Sequence, residues 1–247
     1  MGEKVVAVLG RGKSLEIFKK FHHLFKTIYI VGNFYKEIKK MGVKYLENKE
    51  IIHLVSRTDH PLRNNYYEKL NIARIQTMYS LHQLQIRKKK NKKTFMEKFE
   101  GFEIKFLPDY MKDRGYPLVD RSLICENIKK YNNYKKMCDF FEKNFEEEIK
   151  KGIENNNRLR YWPTTGIYAI DLCLVEQKPE KIYIFGIDCY KAGSYSKYNW
   201  EKKERDHSLV KPIMLYHIEQ MTKEFPFIHF YSSCNKINFN APNWSSI

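Results

Sequence analysis

Hydroxyl and carboxyl side chains stand at two points where the sequence pattern changes. Thr164, Thr165 and Gly166 precede a stretch with apolar residues at helical spacing, and Asp188 follows an apolar run over residues 181–187. Ligands of open α/β sheets bind at the carboxyl ends of the strands. We therefore expect the Thr-Thr-Gly turn (residues 164–166) and the Gly-Ile-Asp loop (residues 186–188) to line one ligand site.

A third polar turn, Gly10-Arg-Gly-Lys-Ser14, follows the first apolar run of the chain; we call it the glycine turn (residues 10–14). Two glycines allow a backbone to approach a nucleotide closely. Backbone N–H groups at a helix N-terminus form an anion site. We expect Ser14 to cap the helix that follows.

The glycine turn also completes a loose P-loop pattern, with Ala7 in place of the first glycine. In a P-loop the strand ends at that first small residue, and the loop then wraps the phosphates. Ala7 is predicted to lie inside a strand, which leaves a loop too short to wrap a triphosphate. A kinase or NTPase that uses Asp188 for magnesium is retained as an alternative.

The elements that must position these residues alternate between strand and helix, which indicates βαβ units and a parallel sheet. We predict one Rossmann-like α/β domain over residues 1–247, with a mostly parallel sheet flanked by helices. A mostly helical, flexible insert or lid lies within about residues 61–157. Strands are predicted over residues 5–9, 27–31, 50–55, 181–187 and, as the last, 227–231, with weaker pieces at 103–107 and 118–120; helices are predicted from Ser14, over 134–153, 167–175 and 206–224.

Composition narrows the setting. The chain has 247 residues, 43% of them hydrophobic, and five cysteines without a CxxC pair. This pattern favours reduced thiols, a cytoplasmic location and no structural zinc. Neither a signal peptide nor a membrane span is predicted.

The net charge of +16 has several readings. A coding bias toward lysine explains much of it, and the densest cluster runs from Arg87 to Lys93. We expect this cluster to be a solvated loop or a peripheral contact with the anionic inner face of a membrane. No nucleic-acid motif accompanies it, so no nucleic-acid partner is expected. Self-association of the chain is a further expectation.

Landmarks spread along nearly the whole chain resemble the bacterial sialyltransferases that use CMP-sialic acid, the Campylobacter-type family 42 of glycosyltransferases. Their order and spacing make the resemblance specific, although each motif alone is weak. The landmarks are Gly10-Arg-Gly-Lys-Ser-Leu15, Asn33-Phe-Tyr35, Thr164-Thr-Gly-Ile-Tyr168, Ile182-Tyr-Ile-Phe-Gly-Ile-Asp-Cys-Tyr190, Gly193-Ser-Tyr195, His207-Ser208 and Phe230-Tyr-Ser-Ser-Cys234.

The resemblance implies a GT-A-like variant of the fold and a metal-independent transfer that inverts the anomeric carbon. It makes His207 the general base, and it places Tyr190 and Tyr195 on the leaving phosphate. The residues that it implies for the CMP-sugar donor are Gly10, Arg11, Gly12, Ser14, Asn33, Thr164, Thr165, Gly166 and Asp188.

General chemistry agrees with these roles. A histidine suits proton removal near neutral pH, and phenolic hydroxyls can stabilise charge that develops on a phosphate oxygen. The chain contains no Asp-x-Asp metal motif, so no metal and no cofactor are expected. It departs from the family at Arg11 and Lys13, where Asn and Pro are usual.

We therefore predict a sialyltransferase that acts on a glycan or glycolipid acceptor in glycan or lipopolysaccharide biosynthesis. The nearest alternative is a transferase for Kdo, another 2-keto acid sugar activated by CMP. A kinase and a basic module that binds anionic polymers are weaker alternatives.

Overall fold

The computed structural model describes residues 3–55, 69–77, 101–106, 143, 164–188, 210–235, 237 and 239–247. Within these residues the strands form one eight-stranded sheet in the order β5-β4-β3-β2-β1-β6-β7-β8, and every pair is parallel. The strands are β1 Val5–Leu9, β2 Thr27–Val31, β3 Glu50–Val55, β4 Ile72–Thr77, β5 Ile104–Lys105, β6 Lys181–Phe185, β7 His229–Ser232 and β8 Trp244–Ser246.

Helices follow the strands in chain order. The first helical segment consists of the 3₁₀ turn Lys13–Ile17, α1 Phe18–Phe21 and the 3₁₀ turn His22–Leu24. The others described are α2 Tyr35–Met41, the 3₁₀ turn Val43–Tyr45, α3 Thr165–Gln177 and α4 Val210–Glu224. In the described part of the chain, no helix is long and apolar enough to span a membrane.

The sheet carries a hydrophobic core on each face, because successive side chains of a strand point to opposite sides. Val6 and Val8 of β1 pack in the core beneath α3 and α4, whereas Ala7 and Leu9 pack toward the first helical segment and α2. A parallel sheet that is covered on both faces has strands of nearly continuous apolar residues. This explains why β1, β2, β3 and β6 could be recognised from the sequence.

The structure confirms the predicted α/β fold and these four strands. Two strands were missed. β4 was overlooked because Arg74, Gln76 and Thr77 interrupt its apolar pattern, although all three are buried. The prediction that the strand near residues 227–231 is the last was wrong: β8 follows it and pairs with β7. β8 has too few apolar residues to give a strand pattern.

The other predicted elements were found in part. The strand-like piece at residues 103–107 is the short β5, so the region predicted as an insert supplies two strands of the sheet, β4 and β5. The last predicted helix is present as α4 from Val210 onward. The strand at 118–120 and nearly all of the helix at 134–153 lie outside the described residues.

Candidate functional site

The site lies where the strand order reverses, between β1 and β6. The chain proceeds from β1 outward through β2 to β5, and then returns to place β6, β7 and β8 on the other side. Leu9 at the end of β1 is in register with Phe185 at the end of β6. The glycine turn and the Gly-Ile-Asp loop therefore leave the sheet side by side, at the position where such sheets bind ligands.

These two loops are in direct backbone contact. The Gly10 N–H donates to Phe185 O at 2.7 Å, and the Gly12 N–H donates to Gly186 O at 2.7 Å. A Cβ atom at Gly10 would lie 2.3 Å from Gly186 O, and one at Gly186 would lie 2.5 Å from Gly10 O. The glycines thus allow the two loops to approach each other. The sequence predicted that the glycines would let the backbone approach a nucleotide. At Gly10 the group that approaches is instead the backbone of the Gly-Ile-Asp loop.

Asp188 caps the first helical segment from the other loop. Its Oδ2 accepts from the Ser14 N–H at 3.1 Å, and its Oδ1 accepts from the Ser14 hydroxyl. The prediction that Ser14 caps this segment was wrong. Gly12 is the N-cap residue and has no side chain with which to cap the segment; the carboxylate of Asp188 takes that place. A Cβ atom at Gly12 would lie 2.4 Å from Asp188 Oδ2, so only glycine leaves room for it.

The Ser14 hydroxyl joins three segments. It donates to Asp188 and accepts from the Gly186 N–H at 3.0 Å and from the Ser233 hydroxyl at 2.8 Å. Ser233 follows β7, and its N–H donates to Ile184 O at 2.9 Å. A hydroxyl group has one donor and two acceptor positions. The Ser14 hydroxyl fills all three within the protein, so it holds loops together.

The glycine turn does not form a phosphate-wrapping cradle. The N–H groups of Gly10, Gly12, Ser14 and Leu15 are bonded to Phe185 O, Gly186 O, Asp188 Oδ2 and Gly12 O. A P-loop instead directs its backbone N–H groups at the phosphates. Ala7 lies inside β1, in register with Ile28 and Tyr183.

The Thr-Thr-Gly turn begins α3 beside the Gly-Ile-Asp loop. A Cβ atom at Gly166 would lie 3.2 Å from Ile187 Cδ1, so the two segments are in contact. Thr164 occupies the N-cap position with φ −70° and ψ 166°, but its side chain makes no capping hydrogen bond. In the part of the chain that the structure describes, α3 thus begins without a side-chain cap, unlike the first helical segment.

Arg11 extends the site toward β2. A Cβ atom at Gly32, which has φ +68°, would lie 3.8 Å from Arg11 Cζ, so the guanidinium lies over the residue before Asn33. The buried His53 fixes this backbone, because its Nε2 lies 2.6 Å from Gly32 O. A carbonyl only accepts, so Nε2 carries the proton. Arg11 thus brings positive charge to the same edge as Asn33.

Among the described residues, no group of three His, Cys, Asp or Glu side chains could hold a metal ion. Cys173 and Cys234 are buried. Burial raises the pKa of the Cys173 thiol above its ordinary value. A thiol of this kind is a poor nucleophile at neutral pH.

The described residues bring together Gly10, Gly12, Ser14, Gly166 and Asp188. Arg11 and Asn33 adjoin them along the edge of the sheet, and Thr164 and Thr165 adjoin Gly166. His207, Tyr190 and Tyr195 lie outside the described residues, as does the cluster from Arg87 to Lys93. Ser233 was not predicted as a site residue, although its position after a strand next to β6 was a usable signal.

No family model and no curated protein matches the sequence. Solved structures similar to the chain include the sialyltransferase CST-II with trisaccharide acceptor and CMP, at 19% identity and TM-score 0.48, over 97% of this chain and 87% of that one. CstII from Campylobacter jejuni with the substrate analogue cytidine-5'-monophosphate has 18% identity and TM-score 0.47, with 98% and 87% covered. Monomeric CstII has 19% identity and TM-score 0.47, with 99% and 89% covered. Likeness of this degree does not carry a function.

Proposed function

We propose that the chain is an inverting, metal-independent glycosyltransferase that moves sialic acid from CMP-sialic acid to a hydroxyl of a glycan or glycolipid acceptor. One observation carries this proposal. The glycine turn, the Gly-Ile-Asp loop and the Thr-Thr-Gly turn lie together at the switch point of a parallel sheet. These are the segments that the sequence resemblance assigns to the donor.

The N-terminus of α3 is suited to an anionic group of the donor, its carboxylate or its phosphate. A helix N-terminus carries partial positive charge and unsatisfied N–H groups. In α3, which spans 13 residues, no side chain of the described residues caps these groups, and Thr164 and Thr165 add two hydroxyls. Arg11 supplies a formal positive charge at the same edge. Anion binding at such a position is a general property of helices.

The chemistry then needs one base and a means of stabilising the leaving phosphate. His207 would take the proton from the acceptor hydroxyl as its oxygen attacks the anomeric carbon, and CMP would leave with the electrons of the broken bond. Tyr190 and Tyr195 would donate hydrogen bonds to the phosphate oxygen on which charge develops. CMP carries a single phosphate, so less counter-charge is required than for a nucleoside diphosphate.

Transfer of Kdo from CMP-Kdo fits the same residues, because both sugars are 2-keto acids activated by CMP. The kinase alternative is less well supported, since the N–H groups and the hydroxyl that would hold phosphate and magnesium are bonded within the protein. Peripheral membrane contact through Arg87 to Lys93, a glycan or glycolipid acceptor and self-association remain predictions.

The test is release of CMP from CMP-sialic acid in the presence of EDTA. We expect turnover by the wild type and at least about a 100-fold loss in His207→Ala, in line with the usual contribution of a general base. His23→Ala changes an exposed histidine in the 3₁₀ turn His22–Leu24 and serves as the matched control. Full activity of His207→Ala would contradict the mechanism. Turnover with CMP-Kdo but not with CMP-sialic acid would identify CMP-Kdo as the donor.

A further inference from the structure

Two polar residues of β4 hold α3 against the sheet at opposite ends of the helix. Arg74 and Gln76 lie two residues apart on one strand and so share one face of the sheet. Both are buried. Arg74 contacts Glu176 near the end of α3, and Gln76 contacts Tyr168 in the first turns of α3.

The contact at the far end is a network of charged and polar groups. The Arg74 guanidinium pairs with Glu176 Oε2, which also accepts from the Tyr29 hydroxyl at 3.2 Å. Gln177 Nε2 donates to the same hydroxyl at 3.2 Å. Burial raises the pKa of Tyr29 well above its ordinary value, so the phenol stays protonated. This network fixes the end of α3 that is remote from the site.

The contact at the near end converges on the Gln76 amide. Its Nε2 lies 3.2 Å from Tyr168 Oη, 3.1 Å from Phe106 O and 3.3 Å from Thr77 O. Gln76 therefore joins the ends of β4 and β5 to α3. Both Gln76 and Tyr168 are fully buried. Among the described residues no partner reaches Gln76 Oε1, and a buried acceptor of this kind is costly.

We propose that Gln76 and Tyr168 are positioning residues for the Thr-Thr-Gly turn. Tyr168 makes the first backbone bond of α3, from its N–H to Thr164 O at 3.0 Å. Among the described residues no side chain caps α3 at Thr164, whereas Tyr168 in its first turn is held to β4 by Gln76. The inference rests on the proposed function for its effect on the donor, although the positioning itself is a property of the ligand-free protein.

Tyr168→Phe and Tyr29→Phe form a matched pair for the test. Each removes one buried phenolic oxygen that links α3 to the sheet, the first near the site and the second far from it. We expect Tyr168→Phe to raise KM for CMP-sialic acid about five- to tenfold with little change in kcat, the effect of losing one hydrogen bond. Tyr29→Phe should lower Tm about as much as Tyr168→Phe does, but it should leave KM within about twofold of the wild-type value. Gln76→Met should reproduce the effect of Tyr168→Phe if it folds.

Amide hydrogen exchange separates failure of this inference from failure of the proposed function. In ligand-free protein, Tyr168→Phe should speed exchange of the amide at position 168, whereas Tyr29→Phe should speed that of Lys178, which donates to Leu174 O at 3.1 Å. If the wild-type protein neither binds nor turns over the donor, the proposed function is wrong, but the positioning role is unaffected. Equal effects of the two variants on KM, or on exchange at position 168, would overturn the positioning role.

Discussion

Two helices begin at the same edge of the sheet, and their N-termini differ in one respect. The first helical segment is capped by Asp188, a carboxylate of the neighbouring loop, whose oxygens accept from the backbone and hydroxyl of Ser14. Helix α3 has Thr164 at its N-cap position, and among the described residues no side chain caps it. The carboxylate of Asp188 thus occupies the N-terminus of the first helical segment. At the N-terminus of α3, we propose that an anionic group of the ligand takes the equivalent place.

The difference shows that a glycine-rich turn before a helix is ambiguous evidence for phosphate binding. In this chain Gly10, Gly12 and Gly186 allow two loops to touch each other. Charges and N–H groups that are already bonded within the protein cannot also bind a ligand. In the proposed function the donor's anionic group is therefore assigned to Thr164 and Thr165 at the N-terminus of α3.

The largest effect is expected from Gly10→Ala, which tests the contact between the two loops. The added Cβ would lie 2.3 Å from the backbone oxygen of Gly186, and backbone cannot yield as a side chain can. We expect a loss of about 3 kcal/mol in the free energy of unfolding, measured in urea. In Gly166→Ala the nearest atom is the end of the Ile187 side chain at 3.2 Å, so this control should change stability by less than about 1 kcal/mol. Wild-type stability of Gly10→Ala would mean that the loops are apart in solution.

The second-largest effect on stability is expected at Asp188, which caps the first helical segment. Asp188→Asn replaces a buried carboxylate that accepts two hydrogen bonds from Ser14, and it should lower the free energy of unfolding by about 2 kcal/mol. Adding Ser14→Ala should cost less in this background than in the wild type, because the two residues interact. Glu16→Gln, at an exposed ion pair with Lys19, should change stability by less than about 0.5 kcal/mol. Strictly additive losses would argue against the cap.

Thr164→Ala tests the second N-terminus. Because the Thr164 side chain makes no capping bond, stability should change by less than about 0.5 kcal/mol, whereas loss of an ordinary N-cap costs about 1 kcal/mol. The KM for CMP-sialic acid should rise about tenfold, as expected when a hydroxyl that binds an anion is removed. A drop in stability with unchanged KM would assign Thr164 to capping alone. Steady-state kinetics and urea unfolding on the same preparation decide between the two.

The smallest effect is expected at the other end of α3. Lys178 ends the helix in the left-handed conformation, with φ 44° and ψ 56°, which costs any residue with a Cβ about 1 kcal/mol. Lys178→Gly should therefore stabilise the protein by about 0.5–1 kcal/mol and leave the KM for the donor unchanged. A lower Tm would show that the lysine side chain makes a compensating contact.

Much of the fold could be predicted from the sequence, because strands covered on both faces are continuous apolar runs. β4 could not, since its polar residues are buried only by virtue of partners on α3, such as Glu176 and Tyr168. The three segments of the site were also predictable, two from polar residues at strand ends and the Thr-Thr-Gly turn from hydroxyl residues before a helix. The pairing of Ser14 with Asp188 was not, because it joins residues 174 positions apart and no local pattern encodes it. Ser233, in contrast, follows a predicted strand, so its position was a usable signal.

A crystal structure with an unreactive analogue of CMP-sialic acid tests the central claim most directly. The account predicts that a carboxylate or phosphate oxygen of the analogue lies within about 3.2 Å of an N–H or hydroxyl of Thr164, Thr165 or Gly166, with Asp188 still bound to Ser14. A phosphate bound by the N–H groups of Gly12 and Ser14, with Asp188 displaced, would contradict it.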